Sequence, residues 1–285
     1  MLWKFFIWEE DMAAAGLEPC GMFSPTHLIF TVICLAAIFF AVTRSRGMTE
    51  KQLDNIVLRI AIVTTCLELG KIIFNWVNGG FTPNHWLPLT FCSFAIYSYW
   101  MIAFGNKEVH EMGKGYIVGG GIIAGLTFLV LPMTSVSTYP MFHYLSCYSM
   151  IFHSLMMYVG LSYLINGYYV FDLKIGYRKY LQFTLPACLL ALTVNIVYGF
   201  FDSVQNCNMM FLSDPYRLVN ILPFVKSVYD AAPFFYSLGV LAVYLTIPFF
   251  LPYGVCRLTK WTVDRKKAAE IPALELEHDP DLIEK

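Results

Sequence analysis

Long apolar stretches separated by short polar ones recur along this chain. Seven of them approach the roughly 20 residues that a helix needs to cross a bilayer core about 30 Å thick. They lie near residues 22–42, 56–77, 87–104, 116–131, 142–165, 181–201 and 234–252. The fourth is short, which predicts a tilted or partly re-entrant helix. In the third, Pro88 predicts a helix start, because a proline in the first turn gives up an N–H that has no helical partner there. Cys92 then falls about one turn inside that helix, and the other helices are expected to be arranged around it.

The polar exceptions inside these stretches carry the information. At 100° per residue, Thr64, Glu68, Lys71, Asn75 and Asn78 share one face of the second helix. A carboxylate at that depth is expensive, so the stripe must face the bundle interior or a wet cleft. The plain alternative is a structural Glu68–Lys71 ion pair at i,i+3. Arg59 lies near the other end and can snorkel. The fifth stretch opens after Pro140 with His143 and holds His153 further in, on a face with Ser146, Ser149, Met150 and Met157. Counting 1.5 Å per residue, Cys92 lies about 8 Å from the outer end, and Glu68 and His153 about 14–16 Å. The sixth stretch puts Asn195, Tyr198 and Asp202 on one face. The glycine pairs Gly115/Gly119 and Gly121/Gly125 read as close helix packing. The first stretch, charged at most at His27, reads as a lipid-facing anchor.

Composition agrees with a membrane bundle: 58% of the 285 residues are hydrophobic, 14% are charged, and the mean hydropathy is +0.58. The expected class is an all-α membrane protein, a single bundle of about seven transmembrane helices. An outer aromatic segment spans 1–21, the transmembrane domain 22–256 with an outer cap loop at 202–233, and a polar cytoplasmic tail 257–285. The first eight residues are apolar and aromatic, but Glu9, Glu10 and Asp11 follow without a cleavage site, so they read as an interfacial segment or a lid. Thirteen Lys and Arg fall on one set of loops and the tail as far as Lys267, against Lys4, Arg217 and Lys226 on the other. The positive-inside rule then puts the N-terminus outside and the C-terminus in the cytoplasm, with the protein multi-pass in the cell membrane. After Lys260 the polar composition predicts disorder. The net charge of −1 makes no case for nucleic acid. The eight cysteines include no C-x-x-C pair and no metal-ligand spacing, and no cofactor is expected. Cys20 and Cys207 fall on the same predicted side, where a disulfide between them is one option.

Cys92 with His153, oriented by Glu68 or Asn195, is a thiol with a base and an orienting group. Lys71, or Asn195 with Tyr198, would be available to an oxyanion. The motifs Glu68-Leu69-Gly70-Lys71, Leu87-Pro88-Leu89-Thr90-Phe91-Cys92 and Phe152-His153-Ser154-Leu155-Met156-Met157-Tyr158, followed by Asn195 and Asn208-Met209-Met210-Phe211, occur in that order. Together they resemble the YwaF-type integral membrane proteins, which include an animal branch of cysteine-dependent lipid acyltransferases. The resemblance spans roughly 55–250. It implies that Cys92 accepts an acyl chain as a thioester and that His153 is its base, with His143 the second choice and otherwise a surface or substrate-contact residue. It also marks Asn208 as a candidate binding residue. Partners would be membrane phospholipids or fatty acyl chains. Two other readings compete: a non-enzymatic carrier or receptor whose Glu68–Lys71 stripe lines a solute or lipid site, and a lipid-binding scaffold without turnover.

Overall fold

The computed structural model describes residues 2–80, 82–201, 207–220 and 222–278, and their regular structure is entirely helical. Six long helices and one short one fall within or across the seven predicted stretches: α1 Pro25–Arg44, α2 Glu50–Val77, α3 Phe94–Phe104, α4 Lys107–Val130, α5 Tyr144–Ile165, α6 Gly176–Phe201 and α7 Pro233–His278, α3 being the short one. Five are long and apolar enough to cross a membrane, namely α1, α4, α5, α6 and α7 as far as Lys260. Of the others, α2 has 28 residues but carries Arg59, Glu68 and Lys71, and α3 has only 11.

Local chemistry sets the starts. Ser24 caps α1 by accepting from the His27 N–H, with Pro25 at the first helical position. Thr49 and Gln52 form a reciprocal capping box on α2. Asn106 caps α4 by accepting from Val109.

The fourth helix is not short: it runs 24 residues, long and apolar enough to cross a membrane. Its polar first turns, outside the apolar stretch, are held by ion pairs. Lys114, 3% exposed, reaches Glu50 at 2.5 Å and Glu111 at 2.7 Å, and Lys179 on α6 pairs with Glu108. The centre of the bundle is α4 with α5, rather than the Cys92 segment. Buried residues make up 78% of the apolar window of α4 and 61% of that of α5, against 17–28% in α1, α6 and α7. Glycines permit this contact. A Cβ on Gly125 would stand 2.6 Å from the His153 carbonyl oxygen, and one on Gly160 would stand 2.6 Å from that of Ile117. Between them α4 passes through a π turn, Ile117–Gly121.

The first helix does present most of its surface outward, yet His27 is fully buried. Its Nδ1 accepts from Phe23, so Nε2–H donates to the Leu129 carbonyl at the end of α4. Helix α7 continues to His278, through the segment whose composition predicted disorder. Strong helix formers (Lys266, Lys267, Ala268, Ala269, Glu270) outweigh its polarity there.

The N-terminal segment is a lid. Ile7 and Met12 form a small core with Tyr139, and Trp8 lies against Phe74 near the end of α2. The loop before α7 closes the same end of the bundle: the Asn208 N–H donates to Asn84 Oδ1 at 2.9 Å, and the short helix Phe224–Ala231 follows. Asp202, Gln205 and Asn206 lie outside the described residues.

Candidate functional site at the lid end of the bundle

Cys92 does not sit inside a helix. Pro88 confines Leu87 to an extended conformation (φ −88°, ψ 115°), which ends the short helix Pro83–Trp86 and keeps the chain irregular through Thr90. Thr90 then starts the next helix. Its hydroxyl accepts from the Ser93 N–H and its carbonyl from Phe94, so Cys92 lies in the turn that leads into α3. Its thiol is half-buried and packs on the main core. The carbonyl before it is held in place: Tyr116 on α4 donates its phenol to the Phe91 oxygen, and the Phe91 ring stacks on Tyr244 of α7 at 4.8 Å.

The polar stripe of α2 faces inward as expected. Thr64 is fully buried and returns its hydroxyl to Ile60 and Ala61; Asn75 donates to Lys71 O. The Glu68–Lys71 ion pair is made, at 2.5 Å. The other carboxylate oxygen of Glu68 accepts from the Tyr148 phenol on α5, and the Lys71 ammonium lies 5.8 Å from the Tyr148 ring centre. Glu68 is therefore bound to Lys71 and Tyr148, and not to His153.

His153 is oriented by its own helix. Its Nδ1 lies 2.7 Å from the Ser149 carbonyl, an acceptor only, so Nδ1 carries the proton. The ring stacks on Phe128 at 3.8 Å and 9°. Its Nε2 is buried and has no hydrogen-bond partner among the described residues. No hydrogen bond links Cys92 to His153 among them either.

The remaining candidates hold structure. His143 is fully buried rather than at a surface. Its Nδ1 caps α5 by accepting from Leu145, its Nε2–H donates to Ile7 O at 2.9 Å, and its ring stacks on Tyr139. Both nitrogens are spent on fastening the lid. Asn195 accepts from the Met209 N–H at 2.7 Å and donates to the Met209 carbonyl at 3.1 Å. Asn208 donates to Asp214 O and accepts from Ser213 and Asp214, which holds the loop where Met210 and Phe211 take positive φ. Tyr198 is half-buried against the core. Cys20 and Cys207 are both free: the Cys20 sulfur sits 3.2 Å from the Ser24 hydroxyl, and Cys207 donates to Asn195 Oδ1. The pairing fails because the two thiols belong to different packed clusters.

Sequence reasoning missed Tyr148 and Tyr116. Each reaches across to another segment of the chain, and its only trace in the sequence is a tyrosine inside an apolar run. It also missed the opposite end of the bundle, where His110 bonds Asp54 and the Tyr163 phenol donates to the same carboxylate. Glu50, His110 and Glu111 have the spacing of metal ligands, but the Lys114 ammonium stands between the two glutamates. An open groove of about 460 Å³ is lined by Glu9, Glu10, Met12, Leu17 and Pro19 of the lid, and shares no residue with the Cys92–Glu68–His153 set.

Residues 22–253, all seven apolar stretches included, match the TMEM164 family. No curated protein and no solved structure matches the chain.

Proposed function

From a chain that belongs to the TMEM164 family of membrane proteins, we propose a lipid acyltransferase that works through a thioester on Cys92. The observation that carries this reading is the tautomer of His153. With Nδ1–H committed to Ser149, the buried Nε2 keeps a lone pair that no other described group uses. A half-buried thiol and a neutral imidazole in one bundle are the minimum set for cysteine-based acyl transfer.

In this mechanism the Cys92 S–H proton passes to His153 Nε2, and the thiolate attacks the ester carbonyl of a donor phospholipid. The ester C–O bond breaks, and the imidazolium returns the proton to the departing lipid oxygen. A lipid hydroxyl then gives its proton to Nε2 and attacks the thioester; the C–S bond breaks and the sulfur is reprotonated. Because Ser149 and Phe128 hold the imidazole, it is the Cys92 side chain that turns toward Nε2 when substrate is bound. Ser149, rather than Glu68, orients the base. Lys71 steadies the oxyanion.

The same reading takes all seven helices as crossings. The lid and the 207–232 loop lie outside, and the basic end faces the cytoplasm, with the protein in the cell membrane.

The test is the intact mass of protein in mild detergent, incubated with mixed phospholipids, before and after neutral hydroxylamine. A fatty acyl increment that hydroxylamine removes, absent from Cys92→Ala and strongly reduced in His153→Ala, is the expected result. A wild type that never carries the increment overturns acyl transfer and leaves the carrier reading along the Glu68–Lys71 stripe.

A further inference from the structure

Tyr116 is buried completely, and its phenol makes one hydrogen bond, to the carbonyl of Phe91. That carbonyl belongs to the peptide that joins Phe91 to Cys92, so the bond holds the backbone from which the thiol projects. The structure commits several features to this contact. Immediately after Tyr116, α4 changes from α to π winding at Ile117–Gly121. A π turn re-aims the side chains beside it and recurs at functional sites. Gly120, inside the turn, has no Cβ where one would press on the Phe91 ring and on Tyr116 itself, at 3.0 Å from each. The Phe91 ring is boxed by Tyr116 at 5.5 Å and Tyr244 at 4.8 Å. Because Pro88 makes the segment before Cys92 irregular, its own helix supplies no ladder of hydrogen bonds to hold that peptide.

We propose that Tyr116 is a positioning residue for Cys92: its phenol fixes the Phe91–Cys92 peptide and with it the place of the thiol. The choice of Cys92 as the thiol that matters rests on the acyl-transfer reading. The positioning itself can be read without turnover.

The experiment labels full-length protein in mild detergent with N-ethylmaleimide and follows Cys92 by peptide mass. Exposed Cys66 in the same molecule serves as the internal standard. Tyr116→Phe keeps the ring and removes the hydroxyl. Tyr180→Phe is the matched control, because Tyr180 is a buried phenol that donates to the carbonyl of Tyr244. The Cys92-to-Cys66 rate ratio is expected to fall at least about fivefold in Tyr116→Phe, the equivalent of one ordinary hydrogen bond, and to hold in Tyr180→Phe. Where turnover is measured, kcat falls with KM unchanged. An unchanged ratio in Tyr116→Phe, or an equal fall in Tyr180→Phe, overturns the proposal. So does a wild-type Cys92 that stays unlabelled after Cys66 has reacted fully. A wild type without an acyl increment but with the selective fall in Tyr116→Phe supports positioning and removes acyl transfer; an increment with an unchanged ratio does the reverse.

Discussion

The phenol of Tyr148 on α5 donates to the carboxylate of Glu68 on α2, and this contact decides what the carboxylate serves. With Lys71 on its other oxygen, Glu68 ties two helices together and balances a charge inside the apolar bundle. It is a structural hub, not the orienting arm of an imidazole.

Removing one member of such a pair leaves a buried charge without compensation, whereas removing both does not. Glu68→Gln is therefore expected to cost about 3 kcal/mol or more of stability, and Glu68→Gln combined with Lys71→Met to recover most of that loss. Thermal unfolding in detergent, arranged as a double-mutant cycle, measures the coupling. Purely additive losses would show that the pair carries no coupling energy.

The lid hangs on His143. His143→Ala removes both the cap on Leu145 and the bond to Ile7 O, so amide exchange across 7–17 should speed up while the middle of α5 stays protected. Hydrogen exchange followed by mass spectrometry reads this directly. The expected local loss is about 1–2 kcal/mol, and unchanged exchange in the lid would assign its attachment to the aromatic contacts alone.

Gly125 has no room for a methyl group against His153 O and Met157. Gly125→Ala should force α4 from α5, cost about 1–3 kcal/mol, and shift His153 away from Phe128. Gly239→Ala on α7, where nothing lies within 4 Å, serves as the control and should be neutral or slightly stabilising. A melting temperature that falls equally for both variants would refute the packing argument.

Orientation can be tested at two exposed positions. Glu9→Cys in the lid should react with a membrane-impermeant maleimide on intact cells, and Lys174→Cys at the basic end only after the membrane is opened. The opposite pattern would invert the topology.

The sequence by itself determined the helical bundle, the approximate places of its main helices and the inward stripe from Thr64 to Asn75. Each of these depends on local quantities: the length of an apolar run, 100° per residue, and the cost of polar groups away from water. The same reasoning reached the Glu68–Lys71 pair, because i,i+3 neighbours meet on any helix. Tertiary structure alone decided which residues meet across helices. The crossing of α4 and α5 at Gly125 and Gly160 sets the rotation that faces the α5 residues inward, and no spacing along the chain encodes such a rotation. Tyr148 could be assigned to Glu68, Tyr116 to Phe91 and His143 to Ile7 only once the helices were packed. Even the local structure at Cys92 was decided jointly. Pro88 excluded a helix before Thr90, but the contacts of Phe91 with Tyr116 and Tyr244 hold the thiol where it is.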